Sequence, residues 1–499
     1  MASGMLLSRR SLLFAGGAVA IAAAAPRAQA IAAALVDKRL TAAAGRAALA
    51  GAGEPYPETS VWCYDGTVPG PEIRLRQGER LRAVVDNKLS EDTTVHWHGV
   101  RVPNAMDGAP YVTQPPIEPN GSFTYEFTVP DAGTYWYHPH AHSSEQVGRG
   151  LMGAFIIEES APLPVDRDVV WVLGDFRLRE DGSIAGGFDN PMEMSMAGRI
   201  GNTVTINGRV PDRFSVRAGE RLRLRLINAA AARIFGLEFK GHRPLVIAFD
   251  GQPVEPHAPE GGRVILGPAM RVDLVLDMSA QPGSTTAVVD SFYDRLAYKL
   301  VDLAYGNEPP IRAQPLDRPA KLAANPISEP DLAHAQRHDV TLTGGMMSGM
   351  GGMMGGGMMG KGGMGGMMGG GGMMGKNGMG MGGMMGGRSM WAINGVAVPA
   401  GDMAHMKPIL TLARGKSYVL AINNKTAWYH PIHLHGNSFR VITRNGQPTR
   451  YREWRDTVLM PPRERADIAF VADNPGDWMF HCHILDHQEG GMMSVIRIA

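Results

Sequence analysis

Ile73-Arg-Leu-Arg-Gln-Gly-Glu-Arg-Leu-Arg-Ala-Val-Val-Asp-Asn87 alternates apolar and polar residues on both sides of a glycine. A period of two puts the apolar set on one face of a strand, and Gly78 supplies a turn in the middle. The stretch reads as strand, turn, half-buried strand. It recurs as Phe214-Ser-Val-Arg-Ala-Gly-Glu-Arg-Leu-Arg-Leu-Arg-Leu-Ile-Asn228, and again as Leu410-Thr-Leu-Ala-Arg-Gly-Lys-Ser-Tyr-Val-Leu-Ala-Ile-Asn-Asn424. In each copy a glycine (78, 219, 415) stands nine residues before an asparagine (87, 228, 424). Recurrence of a whole unit means a repeated domain. Many short strands between Gly/Pro turns point to Greek-key β-sandwiches. The chain is therefore predicted to be all-β, with three sandwich domains over 46–160, 161–305 and 336–499, and a Pro- and Ala-rich linker over 306–335.

The copies lie 141 and 196 residues apart, and an insert accounts for the longer interval: residues 344–387 are 44 residues, 24 of them Gly and 16 Met. No apolar period runs through it, and Gly costs about 1 kcal/mol per helical position relative to Ala. The insert is expected to be disordered without metal. At the other end, Ser8-Arg9-Arg10-Ser11-Leu12-Leu13 is a twin-arginine pattern, followed by a modest apolar run and by Ala28-Gln29-Ala30, which fits a cleavage site. Residues 1–30 read as a signal peptide that sends the mature protein to the periplasm. No later run reaches the roughly 20 apolar residues that a membrane span needs. The net charge of +1 lacks the basic excess of a nucleic-acid binder. The two cysteines are Cys63 and Cys482, and if Cys482 binds metal the fold has no disulfide.

Metal-binding residues crowd the C-terminus: His481-Cys482-His483-Ile484-Leu485-Asp486-His487-Gln488-Glu489-Gly490-Gly491-Met492. Two His and one Cys with a weak axial Met form the ligand set of a blue, type 1 copper centre. Cys482, His487 and Met492 supply three of these groups. On a strand Cys482 points to one face, and His481 and His483 point to the other. One residue then binds a metal in front while its neighbours bind metal behind, a short covalent wire between two sites. Four His-x-His pairs occur, His96/His98, His138/His140, His433/His435 and His481/His483. Each puts two imidazoles on one strand face, and eight imidazoles suit a three-copper cluster. His430 lies three residues before His433, an odd offset that turns it toward Cys482 as the fourth type 1 ligand.

His-Trp-His-Gly at 96–99, Tyr-Trp-Tyr-His-Pro-His at 135–140, His-Pro-Ile-His-Leu-His-Gly at 430–436 and the closing stretch resemble, in order and spacing, the four copper motifs of the multicopper oxidases. Family-like sequence covers nearly all of the mature chain. The resemblance implies cupredoxin domains, four copper ions, and dioxygen reduced to water by electrons taken singly from a substrate. It implies that His96 and His433 hold the type 2 copper, and that His98, His138, His140, His435, His481 and His483 hold the type 3 pair. The second domain, without a His-x-His pair, is expected to be a spacer. Asp107, in Met-Asp-Gly, matches the family's carboxylate near the cluster and is expected to handle protons.

Two departures stand out. Many bacterial relatives have Glu after the last type 1 His; this chain has Gln488, which cannot titrate, so Glu489, Asp486, or water with Asp107 would carry protons. The Asp and Met that hold Cu(I) in cuprous oxidases have no match in Thr426-Ala-Trp-Tyr429. Thioethers suit Cu(I), and exposed Met oxidises readily, so sixteen Met in one insert point to a use. Cu(I) is the leading substrate, with copper tolerance as the role. The alternatives are a laccase-like oxidase of phenols, an Mn(II) oxidase (the stretch from Met106 to Pro116 resembles such proteins), or a copper-storage protein.

Overall fold

The computed structural model describes residues 34–50, 58–312, 314, 316, 321–346 and 390–499. The signal peptide over 1–30 and nearly all of the insert over 344–387 lie outside the described residues.

Among the described residues six sheets pair into three cupredoxin-like sandwiches, built alike. In each, one sheet carries a parallel pair whose second strand is the repeated one. Leu35–Ala47 runs parallel to Arg80–Asn87, Arg167–Phe176 to Arg221–Asn228, and Gln336–Gly344 to Ser417–Asn424. The other sheets also begin with a parallel pair, Gly70–Arg76 with Gly153–Glu158, Arg213–Val216 with Tyr298–Tyr305, and Pro408–Leu412 with Met493–Ile498. Apolar side chains from the facing sheets fill a separate core in each sandwich.

The repeated residues do the same work three times. Gly78, Gly219 and Gly415 all turn the chain at φ between +75° and +88°, where other residues are strained. The three asparagines are fully buried at the ends of their strands. Asn87 Nδ2 donates to the carbonyls of Glu91 and Ile117, Asn228 Nδ2 to those of Arg233 and Leu266, and Asn424 Nδ2 to those of Trp428, Met460 and Pro461. Each Oδ1 accepts from the backbone two residues on, at Leu89, Ala230 and Thr426. A buried amide thus pins the strand end to the opposite side of the sandwich, and leaving it unpaired would cost about 1–3 kcal/mol.

Two expectations are corrected. The first sandwich starts at Leu35, not at 46, because Leu35–Ala47 is a strand between Thr59–Tyr64 and Arg80–Asn87. Its Ala-rich composition, poor in strand formers, hid it. The second is the half-buried reading of Arg221–Asn228, which is buried on both faces. Leu222, Leu224 and Leu226 enter the core. On the other face Arg223 forks onto Glu159 and Asp273, and Arg225 onto Asp168. Buried guanidinium groups require such partners.

Candidate metal centre

The strand Gly476–Cys482 pairs with His430–Leu434 on one side and Met493–Ile498 on the other. Ile432 lies opposite Cys482, and His433 opposite His481. The alternation of the strand then separates two ligand sets. In front, Cys482 Sγ lies 3.5 Å from His430 Nδ1 and 3.7 Å from His487 Nδ1, and the two Nδ1 atoms are 3.1 Å apart. His430 Nε2–H donates to Thr426 Oγ1, and His487 Nε2–H to the Met196 carbonyl, each at 2.8 Å. Both rings therefore present a bare Nδ1 to the thiol. Met492 is fully buried in the same core; its N–H donates to the His487 carbonyl, and its own carbonyl accepts from Cys482 N–H. Trp391 packs on His487 and His430, with ring centroids 4.3 and 5.0 Å away.

Behind the strand, eight fully buried imidazoles converge, four from His96–His140 and four from His433–His483. His435 Nε2 faces His481 Nε2 at 2.9 Å, and His483 Nε2 faces His138 Nε2 at 3.3 Å. His96 stacks on His435 and His98 on His433, at 3.9 and 3.8 Å between centroids. Outward nitrogens are tied down. His96 and His433 donate from Nδ1 to the carbonyls of Asp107 and Asp456, and His435 donates to Asp107 Oδ2, all at 2.8 Å. His138 and His481 donate from Nδ1 to the carbonyls of Pro139 and Cys482, and His98 donates from Nε2 to Asp456 Oδ1. Metal-binding imidazoles are held in this way, by the nitrogen that does not bind.

The inward nitrogens show what the cavity is for. His96 Nε2, His98 Nδ1, His140 Nε2 and His433 Nε2 are buried without a hydrogen-bond partner among the described residues. Each such atom costs about 1–3 kcal/mol; a metal ion removes that cost. Burial pushes His98, His138, His140, His435, His481 and His483 well below the usual histidine range, with neighbouring imidazoles adding to the effect. Burial also holds His487 down, to about 3, and raises the Cys482 thiol far above its ordinary value. Neutral imidazoles are ready to ligate, and the thiol gives up its proton when a soft metal takes the sulfur. The donor sets, and their tight grouping as His430/Cys482/His487, His96/His98/His138 and His96/His140/His435, fit copper.

All twelve residues singled out in the sequence thus lie in or directly behind these two groups. Asp107 joins them, with Oδ2 on His435 and Oδ1 buried and unpartnered. Gln488 reaches only the edge, its Nε2 3.5 Å from His140 Nδ1. Asp486 is occupied by Arg199 N–H and the Ser144 hydroxyl, a structural role. Glu489 accepts from Ser144 N–H, and burial raises it to about 7.

The middle sandwich is more than a spacer. It supplies the Met196 carbonyl on His487, the Met194 carbonyl that accepts from Trp391 Nε1, and Arg271 on Asp456. This segment, Met192-Glu-Met-Ser-Met196, sets three thioethers at alternate positions, although its contacts with His487 and Trp391 are made by backbone carbonyls. The described residues on either side of the Met/Gly insert bond to the middle and the third sandwich. Met346 N–H donates to the Ser195 carbonyl, and Met390 N–H to the Gly490 carbonyl.

Comparison with known proteins agrees with this geometry. Three family models, each described as multicopper oxidase, match residues 51–162, 168–295 and 383–499. The multicopper oxidase MmcO of Mycobacterium tuberculosis is 30% identical, over 87% of this chain and 82% of that protein. Copper resistance protein A of Escherichia coli is 25% identical, over 87% of this chain and 88% of that protein. The crystal structure of a multi-copper oxidase from Pseudomonas thermotolerans superposes with a TM-score of 0.78 at 33% identity, covering 94% of this chain and all of that one. Sequence, sheet order and donor groups converge, and the chain belongs to the multicopper oxidases, enzymes that carry copper as their cofactor.

Proposed function

We propose that this protein is a periplasmic cuprous oxidase that protects its cell against copper, exported by the twin-arginine route. His430, Cys482, His487 and Met492 hold one type 1 copper. His96 and His433 hold the type 2 copper, and His98, His138, His140, His435, His481 and His483 hold the type 3 pair. Bound copper supplies the redox chemistry, one-electron oxidation of the reductant and four-electron reduction of dioxygen to two waters.

One observation carries the reading. Cys482 Sγ faces His430 and His487, while His481 and His483, bonded to it through the backbone, reach His435 and His138. A single strand therefore joins the two ligand sets covalently. Trp391 and the surrounding core keep water from the front set. Met196 touches the outer nitrogen of His487, so the reductant approaches beside a segment rich in thioethers, with Met346 and Met390 hydrogen-bonded close by. That chemistry favours Cu(I) over phenols. Asp107, with Oδ1 buried beside His96, is the carboxyl group placed to handle protons for the cluster. The division into domains ending near 160 and 305 accords with the three sheet pairs, and the twin-arginine pattern at 8–13 supports export. The name of the related copper resistance protein A supports the role.

The test is oxygen uptake by one preparation given Cu(I), a phenol or Mn(II), with Cys482→Ser alongside. Cu(I) should give the fastest uptake, and the variant should lose the blue colour and turnover while keeping the other three coppers. Turnover of phenols without Cu(I)-dependent uptake would overturn the substrate assignment.

A further inference from the structure

Arg271 touches all three sandwiches. It opens the strand Arg271–Asp277 of the middle sandwich and is fully buried. Nε donates to the Thr134 carbonyl of the first sandwich at 3.1 Å, and Nη1 to the Ala269 carbonyl of its own at 3.2 Å. Nη1 and Nη2 fork onto Asp456 of the third, at 2.8 and 2.5 Å. Its backbone N–H donates to Asp250 Oδ1, and its Cζ lies 5.6 Å from the Tyr135 ring centre.

Asp456 is the hinge of the matter. Its Oδ1 also accepts from the Thr457 hydroxyl at 2.8 Å and from His98 Nε2–H at 3.2 Å, and its carbonyl accepts from His433 Nδ1–H. His98 and His433 stack on each other, and their free nitrogens, Nδ1 and Nε2, point into the cluster. The two rings use opposite nitrogens, so each must hold its proton on a particular atom. A carboxylate that rotated away would release the His98 proton to the inner nitrogen and block it. The planar fork fixes both carboxylate oxygens at once, which a single-point cation cannot do. The chain also makes room for the pair. A Cβ on Gly99, immediately after His98, would meet Arg271 Nη2 at 2.2 Å and Asp456 Oδ2 at 2.4 Å.

We propose that Arg271, from the sandwich that offers no copper ligand, is a positioning residue for the cluster, acting through Asp456 to set the ring orientation and proton position of His98 and His433. The inference rests on the ligand assignment above. It predicts that Arg271 governs the cluster, type 3 copper through His98 and type 2 copper through His433, while leaving type 1 copper alone.

The experiment uses the copper-loaded enzyme and its Arg271→Gln and Arg271→Lys variants. The readouts are copper per chain, the type 2 electron paramagnetic resonance signal, the blue absorption and thermal stability. Arg271→Gln should weaken type 2 copper about 10- to 100-fold, as expected when an outer partner of a ligand is lost. The blue band should stay parental. Arg271→Lys should keep more copper than Gln and still show an altered type 2 signal. Adding Asp456→Asn to Arg271→Gln should bring little further loss, since the two residues act as one unit. Arg225→Gln is the control, because Arg225 pairs with Asp168 of its own sandwich and donates to Thr134 of the first without touching Asp456. It should lower stability and leave the type 2 signal unchanged. A parental type 2 signal in either Arg271 variant overturns the proposal. So does parallel loss of type 1 and type 2 copper, or the same spectral change in Arg225→Gln. A parent enzyme without any type 2 signal would instead overturn the ligand assignment. Should Arg271→Gln not fold, the Lys variant alone decides between the same outcomes.

Discussion

Replacing Thr426 with Val should loosen type 1 copper without unfolding the protein. Thr426 is fully buried. Its Oγ1 accepts from His430 Nε2–H at 2.8 Å and from Trp428 N–H at 3.1 Å, and its hydroxyl donates to Asn424 Oδ1 at 2.8 Å. Val keeps the shape and removes all three bonds. The frame tolerates an apolar residue at this point, since the matching positions of the other repeats are Leu89 and Ala230. Without copper, the His430 ring can move its proton to Nδ1 and escape much of the cost. With copper, Nδ1 must be bare and Nε2–H is left buried without an acceptor, at about 1–3 kcal/mol. Nearly all of that falls on the metal-bound state, so type 1 copper should be held about 5- to 150-fold more weakly. Competition of the oxidised enzyme with a Cu(II) chelator, followed through the blue absorption, measures the change, with Thr426→Ser expected near the parent. A Val variant that keeps both its colour and its hold on copper would refute the reasoning.

Gly436→Ala should be costly, because Gly436 sits at φ +62° and a Cβ there would lie 2.2 Å from the buried Trp478 ring; the left-handed backbone and the overpacking together come to about 2–5 kcal/mol, read by urea unfolding of the apo-protein. Glu159 lies largely buried; burial alone would raise its carboxyl, but the Arg223 fork and the Arg225 charge outweigh burial and hold it below the usual range. A carboxyl lowered by folding adds stability above the unfolded value of about 4.3 and loses it as pH falls through the folded value. The stability difference between parent and Glu159→Gln should thus be full at neutral pH and fade in acid, measured by unfolding at a series of pH values. Removing copper should lower the unfolding temperature, and returning it at about 1,000 times a site's Kd should restore about 4 kcal/mol per site; calorimetry of the apo- and holo-protein checks this.

Much of this architecture was legible in the chain. The Gly-to-Asn repeats carry their meaning locally, as turn and strand end, and the ligands announce themselves by alternation along single strands. What escaped reading is what depends on a second chain segment. Leu35–Ala47 is held by its neighbours rather than by its own composition. Arg223 and Arg225 looked like the solvent face of an alternating strand and Arg271 stood in no pattern, yet each lies in a buried interface opposite a carboxylate far away in sequence. Met196 acts through a carbonyl, which no side-chain pattern reveals. The middle sandwich looked inert because its contributions are second partners to ligands, not ligands.

The eight imidazoles of the cluster come from two distant tracts, 96–140 and 433–483, that close on one another only in the finished fold, and the front set comes wholly from the late tract. During synthesis the early tract emerges from the ribosome hundreds of residues before the late one. No nascent or C-terminally truncated chain can complete either centre. A cell that must avoid loose, redox-cycling metal gains from this order, since an unfinished product cannot activate oxygen.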